Sequence, residues 1–339
     1  MALAQRPLVN DYAELKRRVR QKGLLEQQPA YYTYKILFTY GLLALSIACL
    51  VVFRHSWFQL LNAVFLAFVS GQIGFIGHDV GHRQIFRSRR LFELASFVTG
   101  NLMLGWSWSW WVDKHNRHHG HPNEADIDPD ISIPLLAFTE EAARGKRGFL
   151  RFMVKHQAYL YLPLELLGWT TFLIFSISFL LQKRAKYPRA EGLFMTIHYL
   201  LYFGLLFSCL TVWQALLFFV IHRALFGLYL GSVAAPNHKG MLVSDKDTPL
   251  DFLHQQILSS RNVRAHPVTD FWYGGLNYQI EHHLMPTIPR NKLREAQQVV
   301  KAFCEEHGIP YHETGFRQSY REIFQHLYQV STPLRKGQV

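Results

Sequence analysis

The chain alternates long apolar runs with strongly polar stretches. Residues 31–53 (YYTYKILFTYGLLALSIACLVVF) carry one charge, Lys35, near their start. About 20 apolar residues of helix cross a bilayer core, so this run predicts a transmembrane span. Arg54-His55-Ser56 makes a short turn, and the charge-free residues 57–77 return the chain as a second span. Residues 193–212 and 214–235 form a second pair, joined around Trp213 by an uncharged turn. Two further apolar runs read differently. Residues 91–112 are interrupted by Glu93 and hold Trp106, Trp108, Trp110 and Trp111, which predicts an interfacial or core helix with an interfacial tryptophan belt. Residues 157–181 are long enough to cross but are limited by a parity argument given below. From Asn237 onward no run reaches span length, and residues 291–306 read as an amphipathic helix after Pro286 and Pro289.

Composition changes this picture little. Hydrophobic residues make up 49 % of the 339, and charged residues 18 %, below the quarter usual for a soluble enzyme. The net charge of +12 beside apolar runs points to a cytoplasmic membrane face or an anionic ligand, not to nucleic acid. Cys49, Cys209 and Cys304 lie far apart and form no CxxC pair, so no disulfide framework is expected. Residues 1–23 are polar and helix-like, without the apolar segment of a signal peptide.

The chemistry concentrates in three stretches. HDVGH (His78–His82), HNRHH (His115–His119) and QIEHH (Gln279–His283) hold seven of the 18 histidines. On a helix, residues i, i+3 and i+4 share a face. His78 with His82, His115 with His118 and His119, and Gln279 with His282 and His283 each follow that spacing. Seven imidazoles and an amide are too many for one zinc and suit two ions with about four or five ligands each. Imidazole serves iron, zinc, copper and nickel; dioxygen chemistry needs a redox metal with an open position, which favours iron. HDVGH lacks the general-base glutamate of a zinc-protease HExxH helix. If the boxes form one site, an even number of crossings separates His119 from His282. Residues 157–181 are then interfacial or re-entrant, the basic linker 183–191 is cytoplasmic, and four spans leave both termini inside.

The set HDVGH, WWVDKHNRHHGHPN and NYQIEHHLMP resembles the membrane-bound fatty acyl desaturases, and more narrowly the subgroup whose third box begins with glutamine, seen in front-end acyl-lipid desaturases and bacterial acyl-CoA relatives. The resemblance covers roughly residues 42–289. It implies a single all-α, integral membrane domain over residues 1–339, in which two helical hairpins carry a cytoplasmic helical cap (residues 78–156 and 236–339). That cap would hold a di-iron site. Two irons, O2 and two external electrons would introduce a cis double bond into a lipid- or CoA-linked acyl chain. His78, His82, His115, His118, His119, His282 and His283 match family ligands, and His238 in AAPNHKGM is the eighth. Gln279 stands where many relatives have histidine, and would either hold one iron more loosely through its amide oxygen or act through a water. Where stearoyl-type relatives place an asparagine four residues before the His238 counterpart, this chain has Ala234, and the adjacent Asn237, the alternative candidate for a metal or water-mediated contact, does not match that position. With no HPGG-type cytochrome b5 stretch, electrons are expected from a separate ferredoxin or cytochrome b5 with its reductase. The short N-terminus fits a bacterial plasma membrane better than an endoplasmic reticulum.

Asp79, Asp113 and Glu281 lie in or beside the boxes and are candidate acceptors for the ligand imidazoles, with surface carboxylates or helix caps as the equal alternative. Arg223, in an apolar run, is expected either to face inward or to snorkel. His121 points off the face of its box. The acidic residues 123–130 (NEADIDPD) read as a solvated loop or a donor-docking surface. A hydroxylase or ketolase of the same di-iron family shares these boxes. A haem- or metal-binding membrane protein without catalysis is the rival from another class.

Overall fold

The computed structural model describes residues 9–245 and 250–337; of the N-terminal stretch read as helical, residues 1–8 lie outside them. Among the described residues the architecture is helical, with one two-residue parallel pairing of Asn262–Val263 against Glu313–Thr314. The chain forms two compact units from interleaved segments: residues 27–114 and 162–232 in one, and residues 1–26, 115–161 and 233–339 in the other.

The first unit is built on the apolar runs. Among the described residues four helices are long and apolar enough to cross a membrane: Pro29–Val52, Gln59–Gly81, Pro188–Cys209 and Val212–His238, the last ending beyond this unit. They match the four spans expected from the sequence. The first pair turns at His55, whose backbone N–H donates to Cys209 O (3.0 Å) and whose carbonyl accepts from Gln214 Nε2 (2.8 Å). Leu50, Ala63, Leu206 and Phe218 pack there, which joins the two hairpins at their turns. The stretch 157–181 is broken into Gln157–Glu165 and Gly168–Leu181, bent by 70°. Gly227 allows this approach: a Cβ on it would lie 2.7 Å from Glu165 O.

In residues 91–112 two of the four tryptophans, Trp106 and Trp110, follow the core alternative and not the interfacial belt. The stretch divides into Arg89–Ser96, a π-helix Phe97–Leu104, and the start of the helix Trp108–Gly120. Gly105, at φ +73°, makes the left-handed turn between them. Trp106 and Trp110 are buried, Trp106 stacked on Phe226 (5.6 Å) and Trp110 edge-on to Phe172 (5.1 Å). The buried Glu191 fixes this junction, accepting from Asn101 Nδ2 (3.3 Å), Ser107 Oγ (2.6 Å), and the backbone and hydroxyl of Ser109. A sequence window counts tryptophans but not the π-turn that carries them inward.

In the second unit the helix Leu293–His307 buries Leu293, Ala296, Val300, Phe303 and Cys304 against Leu15 and Val19 of Val9–Gln21. The helix Gln279–Leu284 is buried at every residue. Arg261, fully buried, ties down the segment around His238: it donates to Pro236 O (2.6 Å) and Lys239 O (3.0 Å) and pairs with Glu322 (2.5 Å).

Candidate metal centre

The three boxes sit where the helical spacing predicts. HDVGH closes the helix Gln59–Gly81, with His82 as its C-cap. The rings of His78 and His82 stand 4.6 Å apart, and His78 Nδ1 lies 3.3 Å from Asp79 Oδ1. The glycine of this box is required by its neighbour: a Cβ on Gly81 would meet the Trp111 ring at 2.7 Å.

HNRHH lies in Trp108–Gly120 and QIEHH in Gln279–Leu284. Within the second unit their imidazoles form two groups. His115, His119 and His282 offer ring nitrogens within 4.8 Å of one another, with His119 Nε2 and His282 Nε2 3.1 Å apart. His118, His238 and His283 form the other, also within 4.8 Å and all buried. Every histidine of the second and third boxes, and His238, therefore belongs to one of these groups.

The group at His118 shows what the arrangement can bind. His118 Nδ1 faces Asp128 Oδ2 at 2.9 Å, His238 Nδ1 faces Ser259 O at 3.0 Å, and His283 Nδ1 faces Gln256 Oε1 at 2.9 Å. Asp128 and Ser259 O can only accept, so those Nδ1 atoms carry the protons, and Gln256 Oε1 assigns the third in the same way. All three Nε2 atoms are then lone-pair donors. His118 Nε2 and His238 Nε2 are 3.3 Å apart, and His283 Nε2 is buried with no hydrogen-bond partner. Lone pairs pointed at one another are repulsive unless a cation lies between them. The donor set therefore fits a metal, with acceptors behind each ring fixing its tautomer. Burial and the neighbouring histidines push the pKa of His283 well below the ordinary imidazole value, which keeps the ring neutral for ligation. Burial raises the Asp128 carboxyl, but His118 outweighs it and leaves Asp128 below the usual carboxylate value.

Gln279 and Asn237 adjoin this group. Asn237 Nδ2 donates to Leu276 O and to Gln279 Oε1, both at 3.0 Å. That turns the Gln279 amide so that its Nε2–H faces His238 Nε2 at 2.9 Å. Gln279 thus presents a donor, where a metal ligand would present its oxygen.

Of the three carboxylates expected to orient imidazoles, Asp79 touches a box histidine. Asp113 pairs with Arg184 near the surface (3.4 Å). Both Glu281 oxygens are taken, by Asn262 Nδ2 (2.7 Å) and Tyr311 OH (2.8 Å), and burial pushes this carboxyl up to about 7 against those hydrogen bonds. Arg223 does face inward, but toward His198 Nε2 (2.9 Å) and the rings of Trp169 and Tyr202. His121 pairs with Glu124 at the surface, as its off-face position implies. The acceptors Asp128, Gln256 and Ser259 O carried no mark in the sequence beyond the acidic stretch 123–130. That stretch folds inward because Asn123 Nδ2 donates to His238 O (2.9 Å) and Ala125 N to Ser244 O (2.9 Å).

Comparison with known proteins places this geometry. The fatty acid desaturase family model matches residues 55–315. An acyl-lipid (9-3)-desaturase of Physcomitrium patens is 30 % identical over 96 % of this chain, which covers 63 % of that enzyme's length. A Delta(8)-fatty-acid desaturase of Euglena gracilis is 32 % identical over 89 % of the chain and 74 % of its own. For a Delta(6)-fatty-acid desaturase of Caenorhabditis elegans the figures are 29 %, 95 % and 75 %. The matched region contains all three histidine boxes and His238, and the chain belongs to the fatty acid desaturase family.

Proposed function

We propose that this membrane protein is a fatty acyl desaturase, an oxidoreductase that introduces a cis double bond into a lipid- or CoA-linked acyl chain. The family implies iron, and the histidine groups are suited to bind metal. Two irons are held by His78, His82, His115, His118, His119, His238, His282 and His283. The observation that carries this reading is the His118–His238–His283 group, with each Nδ1 tied to an acceptor and each Nε2 turned to one point. The first box supplies the remaining imidazoles by count.

Bound iron would use O2, two external electrons and two protons to remove two hydrogens from an unactivated CH2–CH2 pair, giving an alkene and two waters. The chain's own residues do the rest. Neutral, buried imidazoles hold the metal without adding charge to an apolar site. Asp128, Gln256 and Ser259 O keep three of them in one tautomer and orientation. Asn237 holds Gln279 as an N–H donor beside His238, so Gln279 acts on what the metal binds and is not itself a ligand. A ferredoxin or cytochrome b5 delivers the electrons, and the site faces the cytoplasm of a bacterial cell. Gas chromatography of fatty acids from an expressing host, with double-bond location, tests this. New unsaturated species that need His119 support it; hydroxylated or keto products would assign the chain to a neighbouring chemistry.

A further inference from the structure

A groove opens beside the helix Pro188–Cys209, within the first unit. Its cavity is about 680 Å³, walled on one side by Leu173, Ile177 and Leu180 and on the other by Met195 and Tyr199. Gly192 floors it, and a Cβ there would meet nothing within 4 Å. A second groove of about 470 Å³ continues along Leu200, Phe203, Gly204 and Phe207 with no charged residue. The first differs at one end, where Lys183 and Arg189 line the mouth.

The loop joining Gly168–Leu181 to Pro188–Cys209 and the first turn of the latter helix hold four cations whose situations differ. Arg184 pairs with Asp113 (3.4 Å) and Lys186 with Glu93 (3.0 Å). Lys183 and Arg189 are exposed and, among the described residues, have no carboxylate partner. The nearby acid, Glu191, is buried and turned away to Asn101, Ser107 and Ser109. The two unpaired cations are the two that border the groove. From Pro188 to Tyr199 the helix rises about 17 Å, close to half the roughly 30 Å hydrocarbon core. The groove is thus as deep as one leaflet, apolar along its length and positive at its membrane-surface end.

We infer that this groove binds one anionic glycerophospholipid. An acyl chain lies between Leu173, Ile177, Met195 and Tyr199 over Gly192, and the phosphate bridges Lys183 and Arg189. Guanidinium and ammonium donors so placed favour a phosphate whose net charge no neighbouring headgroup cation cancels. The second groove, with no charge at either end, takes lipid without headgroup preference. Binding here does not depend on the metal reading, because no box histidine lines the groove.

Native mass spectrometry of the full chain, purified in mixed micelles containing equal palmitoyl-oleoyl phosphatidylglycerol and phosphatidylcholine, tests the site. The wild type is expected to retain one phosphatidylglycerol in preference to phosphatidylcholine. Lys183→Gln with Arg189→Gln should weaken that retention about tenfold, the size of losing a pair of charge-assisted contacts. Arg184→Gln, at a cation already paired, should not. Gly192→Leu fills the groove without touching the cations and should also lose the lipid. Iron content, which these surface changes leave alone, reports that the variants are folded. Equal retention of both lipids by the wild type, or unchanged phosphatidylglycerol retention in the two groove variants, would overturn the assignment. So would light scattering showing that Gly192→Leu breaks a dimer while lipid retention stays the same, since a second copy would then be the occupant.

Discussion

Two of the buried histidine clusters among the described residues are built on opposite principles. Around His118, His238 and His283, every Nδ1 is satisfied and the Nε2 atoms converge. Around His198 and His222, in the apolar helices of the other unit, both nitrogens of each ring are used. His198 Nδ1 donates to Leu102 O (2.8 Å) and Nε2 accepts from Arg223 (2.9 Å). His222 meets Ser70 Oγ (3.0 Å) through Nε2 and Tyr202 OH (2.8 Å) through Nδ1. Burial and clustering are therefore common to both, and neither marks a metal site. What marks it is lone pairs that face one another, at His118 and His238 Nε2, or, at His283 Nε2, face no donor among the described residues. In the second cluster every ring nitrogen has its partner, and its work is to satisfy polar groups inside apolar surroundings.

The largest expected effect separates the two clusters by activity. His283→Ala removes a converging Nε2 and should lower product formation at least about 100-fold, in line with losing part of a positioned catalytic centre. His198→Ala should leave double-bond formation within several-fold of wild type, read by gas chromatography at matched protein levels. Comparable losses in both would mean that the membrane cluster takes part in the chemistry.

Next in size is the layer behind the ligands. Asp128→Asn keeps the shape but replaces the carboxylate acceptor of His118 Nδ1–H with an amide. Metal affinity should fall about 10- to 100-fold, read by competing a chelator against reconstituted iron. Glu281→Gln is the control: its oxygens serve Asn262 and Tyr311, so chelator resistance should stay near wild type. Equal sensitivity of the two variants would remove the special place given to Asp128.

These contrasts also show what the sequence carried. Period and spacing were enough for the four apolar helices, the histidine faces and the amphipathic helix near residue 300, because each repeats at helical intervals. The inward turn of Trp106 and Trp110 was not legible, since it depends on a π-turn and on Glu191, far along the chain. Asp128 was not legible either. An acidic loop after a histidine box reads the same whether it is solvated or folded back by Asn123. Gln279 was legible as the odd letter of its box, but its role depends on Asn237, which sets the direction of the amide.

Smaller effects follow from Gln279 and from the membrane cluster. Gln279→Ala should leave the iron content unchanged and lower activity by less than His283→Ala, because a donor is lost and no ligand is. Iron lost in proportion to activity would make Gln279 a ligand after all. His222→Phe leaves the Ser70 and Tyr202 hydroxyls without their ring partner. It should cost about 1–3 kcal/mol of stability, seen as a lower thermal midpoint in detergent with iron content unchanged.

The most direct test of the account is iron per polypeptide in three purified proteins: wild type, His283→Ala and His198→Ala. The account predicts about two non-haem irons in the wild type, a clear loss in His283→Ala, and two again in His198→Ala. A haem or a single zinc in the wild type, or loss of metal in His198→Ala as complete as in His283→Ala, would contradict it.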